Sequence, residues 1–115
     1  MNNLVQGHHH VTLCVGGAQE DYAFHTKLLG LRSVKKTVLF DGTTPIYHLY
    51  YGNHRGDPST LITTFPFKHT GIEGRRGSGQ IKTIQCSVPS GALSFWQKRL
   101  KDHSIVATMG TRYNL

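Results

Sequence analysis

The order in which two hydrophobic periods follow one another constrains this chain more than any other feature. Residues 10–15 alternate with period two: Val11, Leu13 and Val15 share one face of a strand, and His10, Thr12 and Cys14 share the other. Gly16-Gly17 interrupts the run. Ala18 to Leu29 then carries helical spacing, with Tyr22, His25 and Leu29 along one stripe and Phe24 beside Leu28. Gly30 stands where a helix commonly ends in a left-handed residue. Three β-type runs follow: Arg32 to Phe40, closed by the turn signal Asp41-Gly42; Ile46 to Tyr51, ended by Gly52-Asn53; and Thr60 to Phe65, stopped by Pro66. The first 67 residues spell β-α-β-β-β.

The same order then restarts. Lys68 to Gln80 holds Gly71, Gly74, Gly77 and Gly79 around Arg75-Arg76. It lacks the spacing of a phosphate-binding loop and opens no helix, so it reads as a connector. Ile81 to Val88 reads as a strand, with Ile84 over Val11, Cys86 over Leu13 and Val88 over Val15. Pro89-Ser90-Gly91 leads into a helix on Leu93, Trp96 and Leu100, with Ser90 as its expected N-cap. Ile105 to Tyr113 supplies a further strand. The expectation is an α+β chain of tandem β-α-β-β-β modules: residues 1–67, the connector 68–80, and an incomplete second module, residues 81–115. Such an arrangement leaves strand edges and a sheet face to be covered by a second copy of the chain or by further polypeptide.

Charge and composition exclude several classes of function. The net charge of +7 invites a nucleic-acid reading, but the basic residues are scattered and no zinc-finger or aromatic RNA-binding pattern accompanies them. A solvated basic surface, or one meeting an acidic partner, remains. No apolar run reaches the ~18 residues of a membrane span, and no secretion signal is visible. A cytoplasmic setting is expected. Cys14 and Cys86 lie in apolar runs, where lone thiols behave as small buried hydrophobes.

His8, His9 and His10 carry the chemistry that can be placed. They run directly into the alternating segment, unlike a purification tag. On a strand, His10 stands beside Thr12 on the non-apolar face, where a metal ligand would project into a cleft; a hydrogen-bonded surface histidine is the plainer alternative. An oxygen-activating iron site needs two histidines and a carboxylate on one face. The acids are Glu20, Asp21, Asp41, Asp57, Glu73 and Asp102, none within an expected strand, and Thr83 replaces the histidine in the second copy. One chain therefore offers one ligand. His48 alternates with Ile46 and Tyr50 and is either a cleft-lining group or a histidine satisfied by a neighbouring strand. His25, His54, His69 and His103 receive no role. Tyr47, Tyr50, Tyr51, Phe65 and Phe67 are aromatic cleft or core residues.

The stretches "HHVTLCVGGAQEDYAFHTKLLGLRSVKKTVLFDG", "PIYHLYYGNHRGDPSTLITTFPF", "GRRGSGQ" and "GTRY" resemble the vicinal-oxygen-chelate superfamily of glyoxalase I, bleomycin-resistance proteins and extradiol dioxygenases. Within it they resemble the N-terminal part of hydroquinone-type ring-cleaving dioxygenases, over residues 9–113. The resemblance implies Fe(II) in the complete enzyme, held by two histidines and a carboxylate, with an aromatic diol and dioxygen as substrates. His10 maps onto a metal ligand; His9 and Thr12 map onto groups around it; the remaining histidine and glutamate belong to later modules. Gly17 departs from the acidic residue that relatives often place there, which weakens the helix cap by a few tenths of a kcal/mol. The chain is read as the N-terminal portion of such an enzyme. Two alternatives stand beside it. One is a non-catalytic module, with another divalent metal or none, binding an aromatic ligand or a partner subunit. The other is a dimeric glyoxalase-like isomerase, for which no strand carboxylate exists.

Overall fold

The computed structural model describes residues 4–40 and 42–113. The chain divides into two compact units, Met1–Arg76 and Gly77–Leu115. In the first, β1 (His10–Val15), β2 (Arg32–Phe40), β3 (Pro45–Gly52) and β4 (Leu61–Pro66) form one sheet in the order β1-β4-β3-β2. β1 runs parallel to β4, with His10 opposite Leu61, Thr12 opposite Thr63 and Cys14 opposite Phe65. β3 runs antiparallel to both β4 and β2, with Tyr50 opposite Thr63 and Lys35. β1 and β2 are therefore the two edges, and the segment between them must cross the whole sheet on one face.

That crossing segment is α1 (Ala18–Ala23), continued by a π-helical turn, Phe24–Leu28. The expected helix over Ala18 to Leu29 is thus present but widened in its second half. Leu29 N–H donates to the Phe24 carbonyl at 3.0 Å, and Leu31 N–H to that of His25 at 2.9 Å, through Gly30 at φ +71°. The inward positions are Asp21, His25 and Leu28; of the expected stripe Tyr22, His25 and Leu29, only His25 is buried. Tyr22 and Phe24 are exposed. The polar character of Asp21 and His25 hid this face from a hydrophobic reading.

The two faces of the sheet differ. Leu49, Tyr51, Ile62, Thr64 and Pro66 lie on the helix side, and all are buried. Val11, Leu13 and Val15 are half-buried on that side, as their alternation predicts. The opposite face bears His10, Thr12 and Cys14, which are exposed. Cys14 is a free, exposed thiol, as is Cys86, and neither is the buried hydrophobe expected of them. Leu61 covers Gly52 at one end of this face, beside Val34 in the bulge between Ser33 and Lys35. Of the Asp41-Gly42 turn signal, Asp41 lies outside the described residues and Gly42 has φ +98°.

Gly56 has φ +71°, and a Cβ there would sit 2.9 Å from Val34 Cγ1. Left-handed strain and overlap act together, so Gly56→Ala should destabilise the first unit by about 1–3 kcal/mol, read as a lowered urea midpoint at unchanged m-value.

The second unit contains one helix, α2 (Leu93–Asp102). Its N-cap is Ala92 with no side-chain cap, so Ser90 does not fill that role; Ala92 N–H instead closes a turn onto the Pro89 carbonyl at 3.0 Å. The strands expected at Ile81 to Val88 and at Ile105 to Tyr113 do not form among the described residues. β propensity becomes a strand only with a ladder partner, and neither segment has one. None of the described residues of this unit is buried.

Candidate functional site

The histidine run is built into the fold. Ser59 N–H donates to the His9 carbonyl at 2.8 Å, and Ser59 Oγ–H to the His8 carbonyl at 2.6 Å. The loop before β4 thus pins the segment that enters β1. His9 Nδ1 and His10 Nδ1 lie 3.1 Å apart with their rings edge to face, so one carries the proton and the other accepts it. Both side chains are exposed. If His10 Nδ1 is the donor, its Nε2 presents a lone pair, the form a metal ligand needs, and His9 fixes that tautomer.

Thr12 lies one pleat beyond His10 on the same face, its Oγ1 2.8 Å from Thr63 Oγ1. His48 projects from β3 to this face also. Its ring stacks on Phe65 at 4.0 Å and 21°, and its Nδ1 lies 2.8 Å from the Tyr50 hydroxyl. His48 Nε2 is buried without a partner. The expectation of a histidine satisfied by neighbours is therefore met at one nitrogen and not at the other. Burial pushes the His48 pKa down, and the charges of His10 and Lys35 push it further in the same direction. Its unfolded-state value is 6.5, so the folded chain resists a proton that the unfolded chain accepts. Stability is then full above pH 6.5 and falls as the pH drops through the lower folded value. Urea midpoints should decline on that acid side, and the decline should be shallower in His48→Gln.

A second polar cluster, not anticipated from the sequence, lies under the sheet. Asp21 Oδ2 accepts from the Tyr51 hydroxyl at 2.8 Å and from Thr64 Oγ1 at 2.6 Å. His25 Nδ1 lies 3.0 Å from the Asp21 carbonyl and 3.2 Å from its Oδ1, and the His25 ring stacks on Tyr51 at 4.4 Å. All four side chains are buried. Burial, then the bond to Asp21, pushes the pKa of the Tyr51 hydroxyl well above its ordinary value, so it stays a donor. The i, i+4 spacing of Asp21 and His25 was the available signal. The cluster clamps the crossing helix to β3 and β4, on the face opposite His10.

Three further acids are engaged in ion pairs. Glu20 pairs with Lys68 at 3.0 Å, Asp57 with Arg55 at 3.0 Å, and Asp102 with Lys98 at 2.5 Å. The Glu20 carboxylate occupies the space a side chain at Gly17 would need. A cavity of about 580 Å³ lies on the helix side between residues 16–20, Tyr47 and Lys68, and takes in none of the histidines at the start of β1. No group of three histidine, cysteine or acidic side chains able to hold a metal occurs among the described residues. The donors present fit one corner of an iron site, through His10, and not a complete one.

Comparison with known proteins agrees with this geometry. The FosX fosfomycin resistance protein of Listeria monocytogenes, solved with Mn(II) and 1S,2S-dihydroxypropylphosphonic acid, shares the fold at a TM-score of 0.61 and 13% identity, over 88% of this chain and 74% of that one. That likeness concerns the fold, a sheet in the order β1-β4-β3-β2 with a crossing helix in this chain. In sequence, the chain is similar to part of several ring-cleaving dioxygenases. It is 46% identical over 104 residues to the chlorohydroquinone/hydroquinone 1,2-dioxygenase of Sphingobium indicum, covering 90% of this chain and 32% of that protein. It is 52% identical over 98 residues to MhqE of Bacillus subtilis, described as a ring-cleaving dioxygenase, covering 84% and 31%. A Bacillus subtilis crystal structure described as that of a dioxygenase superposes with a TM-score of 0.85 at 44% identity, over 94% of this chain and 34% of that one. The chain spans about a third of the length of these relatives. No family profile matches it. Among the described residues, no helix is long and apolar enough to cross a membrane.

Proposed function

We propose that this chain supplies the first module of a cytoplasmic, Fe(II)-dependent dioxygenase that cleaves the ring of hydroquinones. His10 is one of three metal ligands, and the other two come from outside the described residues, on further modules or a second copy. Residues 68–80 are the connector, and residues 81–115 begin a second module whose strands pair once neighbouring polypeptide is in place. The observation that carries this reading is the arrangement of the open face: His10 exposed, bonded through one nitrogen to His9, with the Thr12 hydroxyl beside it.

Iron at this site would supply Lewis acidity and a meeting point for the diol and dioxygen. The chain's own residues do the rest. His9 takes the Nδ1 proton of His10 as a hydrogen bond, which orients the ring and raises the basicity of Nε2. Thr12 offers a hydroxyl to the substrate or to the oxygen it meets, held in place by Thr63.

The want of a three-donor group favours a second reading, a non-catalytic module that binds an aromatic ligand. Dioxygen uptake on addition of Fe(II) and hydroquinone separates the two. Uptake matched by loss of the aromatic absorbance supports the enzyme; hydroquinone binding without uptake supports the binding module; neither uptake nor binding rejects both.

A further inference from the structure

The register of the sheet sets one row of polar side chains across all four strands. Thr12 on β1 is opposite Thr63 on β4, Thr63 is opposite Tyr50 on β3, and Tyr50 is opposite Lys35 on β2. Residues directly opposite one another share a face, so these four groups lie on the open face in a line. Thr12 and Thr63 are joined at 2.8 Å, and the Lys35 ammonium lies 5.6 Å from the centre of the Tyr50 ring. The row stands one pleat along from His10.

The Tyr50 hydroxyl meets His48 Nδ1 at 2.8 Å, and the direction of that bond decides what else the hydroxyl can do. With its basicity lowered, His48 is neutral near pH 7 and has one N–H to place. If Nδ1 accepts from Tyr50, the N–H falls on Nε2, a buried donor without a partner. An orphaned buried donor is destabilising and is the rarer defect in folded proteins. If Nδ1–H donates to the phenol oxygen, Nε2 keeps only a lone pair, and the Tyr50 proton is left to point outward beside a cation.

We propose that Tyr50 is a substrate-binding residue whose hydroxyl, held by His48 and assisted by Lys35, donates to the ring oxygen of a para-diol remote from His10. The proposal rests on the reading of the open face as the dioxygenase site and names its selectivity. β1 and β3 are separated by β4, so their backbones stand ~10 Å apart. A ring with oxygens at opposite ends can reach from the His10 side to Tyr50; a monophenol cannot use the second contact. His48 is then a positioning residue, acting through Tyr50.

The test is anaerobic titration of the chain, with and without Fe(II), using hydroquinone and phenol as probes. Wild type should prefer hydroquinone over phenol. Tyr50→Phe should weaken hydroquinone binding about tenfold, the loss of one hydrogen bond to a partly charged oxygen, and move phenol binding by less than about twofold. His48→Ala should lose the same preference, and His48→Asn, which can still donate to Tyr50, should restore part of it. Nitrogen-15 shifts of the His48 ring should place the proton on Nδ1. A Tyr50→Phe protein with wild-type preference, a wild type with no preference, or a proton on His48 Nε2 would each overturn the proposal. Iron retention in the same samples reports separately on His10: its absence from wild type counts against the dioxygenase reading, while the hydroquinone-to-phenol ratio still decides the role of Tyr50.

Discussion

Asp21→Ala is expected to destabilise the first unit by about 3–5 kcal/mol, a large share of the ~5–15 kcal/mol that holds a domain together. The carboxylate is the acceptor for Tyr51, Thr64 and His25 at once. Alanine leaves the Tyr51 and Thr64 donors buried without that acceptor, each at its own desolvation cost, while His25 keeps only the backbone carbonyl of residue 21. Tyr51→Phe and Thr64→Val remove one donor each while keeping the shape, and should cost only about 1–2 kcal/mol apiece. Asp21→Asn should fall between, because an amide oxygen can still serve Tyr51 and Thr64 but its NH2 then opposes the His25 donor. Urea unfolding checks the series, and the sum of the single losses at Tyr51 and Thr64 should not equal the loss at Asp21, since the three share one acceptor. A loss below about 1 kcal/mol for Asp21→Ala would show that the cluster is not the clamp described here.

The second large effect concerns metal. His10→Ala should lower Fe(II) affinity by at least about 100-fold, beyond the 10–100-fold typical of losing a group behind a ligand. His9→Ala falls in that lesser range, because it removes the acceptor of the His10 Nδ1 proton and not a donor to the metal. His48→Ala should leave Fe(II) retention close to wild type, since the nitrogen it presents to Tyr50 is engaged and the other is buried. Metal content after equilibrium dialysis against Fe(II) orders the variants. Equal iron in wild type and His10→Ala would reject the assignment of the ligand.

The features legible in the sequence are those that local chemistry decides. Alternation in residues 10–15 assigned the faces of β1 correctly, and β-branched and aromatic runs located β2, β3 and β4 to within a residue or so. Sheet order was not read from the sequence: one helical crossing followed by two short connections leaves a few arrangements, of which the structure adopts β1-β4-β3-β2. The inward face of the crossing helix was illegible for a physical reason: two of its three buried positions are polar, and their partners Tyr51 and Thr64 are 30 and 43 residues from Asp21 in sequence. A hydrophobic stripe cannot report a stripe of satisfied hydrogen bonds. The π turn, which lets the His25 ring take up the Asp21 carbonyl, shifts the stripe again.

The strands expected beyond residue 80 failed for another reason. Ile81 to Val88 has the composition of a strand, but pairing is a property of two segments, and the described residues offer it no second one. Cys14 shows the same limit within β1. An apolar neighbourhood in sequence suggested burial, yet the side chain falls on the face that nothing covers. At the candidate site, His9, His10 and Thr12 were legible through resemblance, whereas the row from Thr12 to Lys35 exists only through the register of four strands.

If the proposed site is right, the open face receives the metal and the cavity on the helix side does not. Paramagnetic broadening in NMR spectra during anaerobic Fe(II) titration tests it directly. The account predicts that signals of His10, His9 and Thr12 broaden first and that those of His25, Tyr51 and His69 persist. Early broadening centred on Glu20, Lys68 and His69, with His10 unaffected, would contradict it.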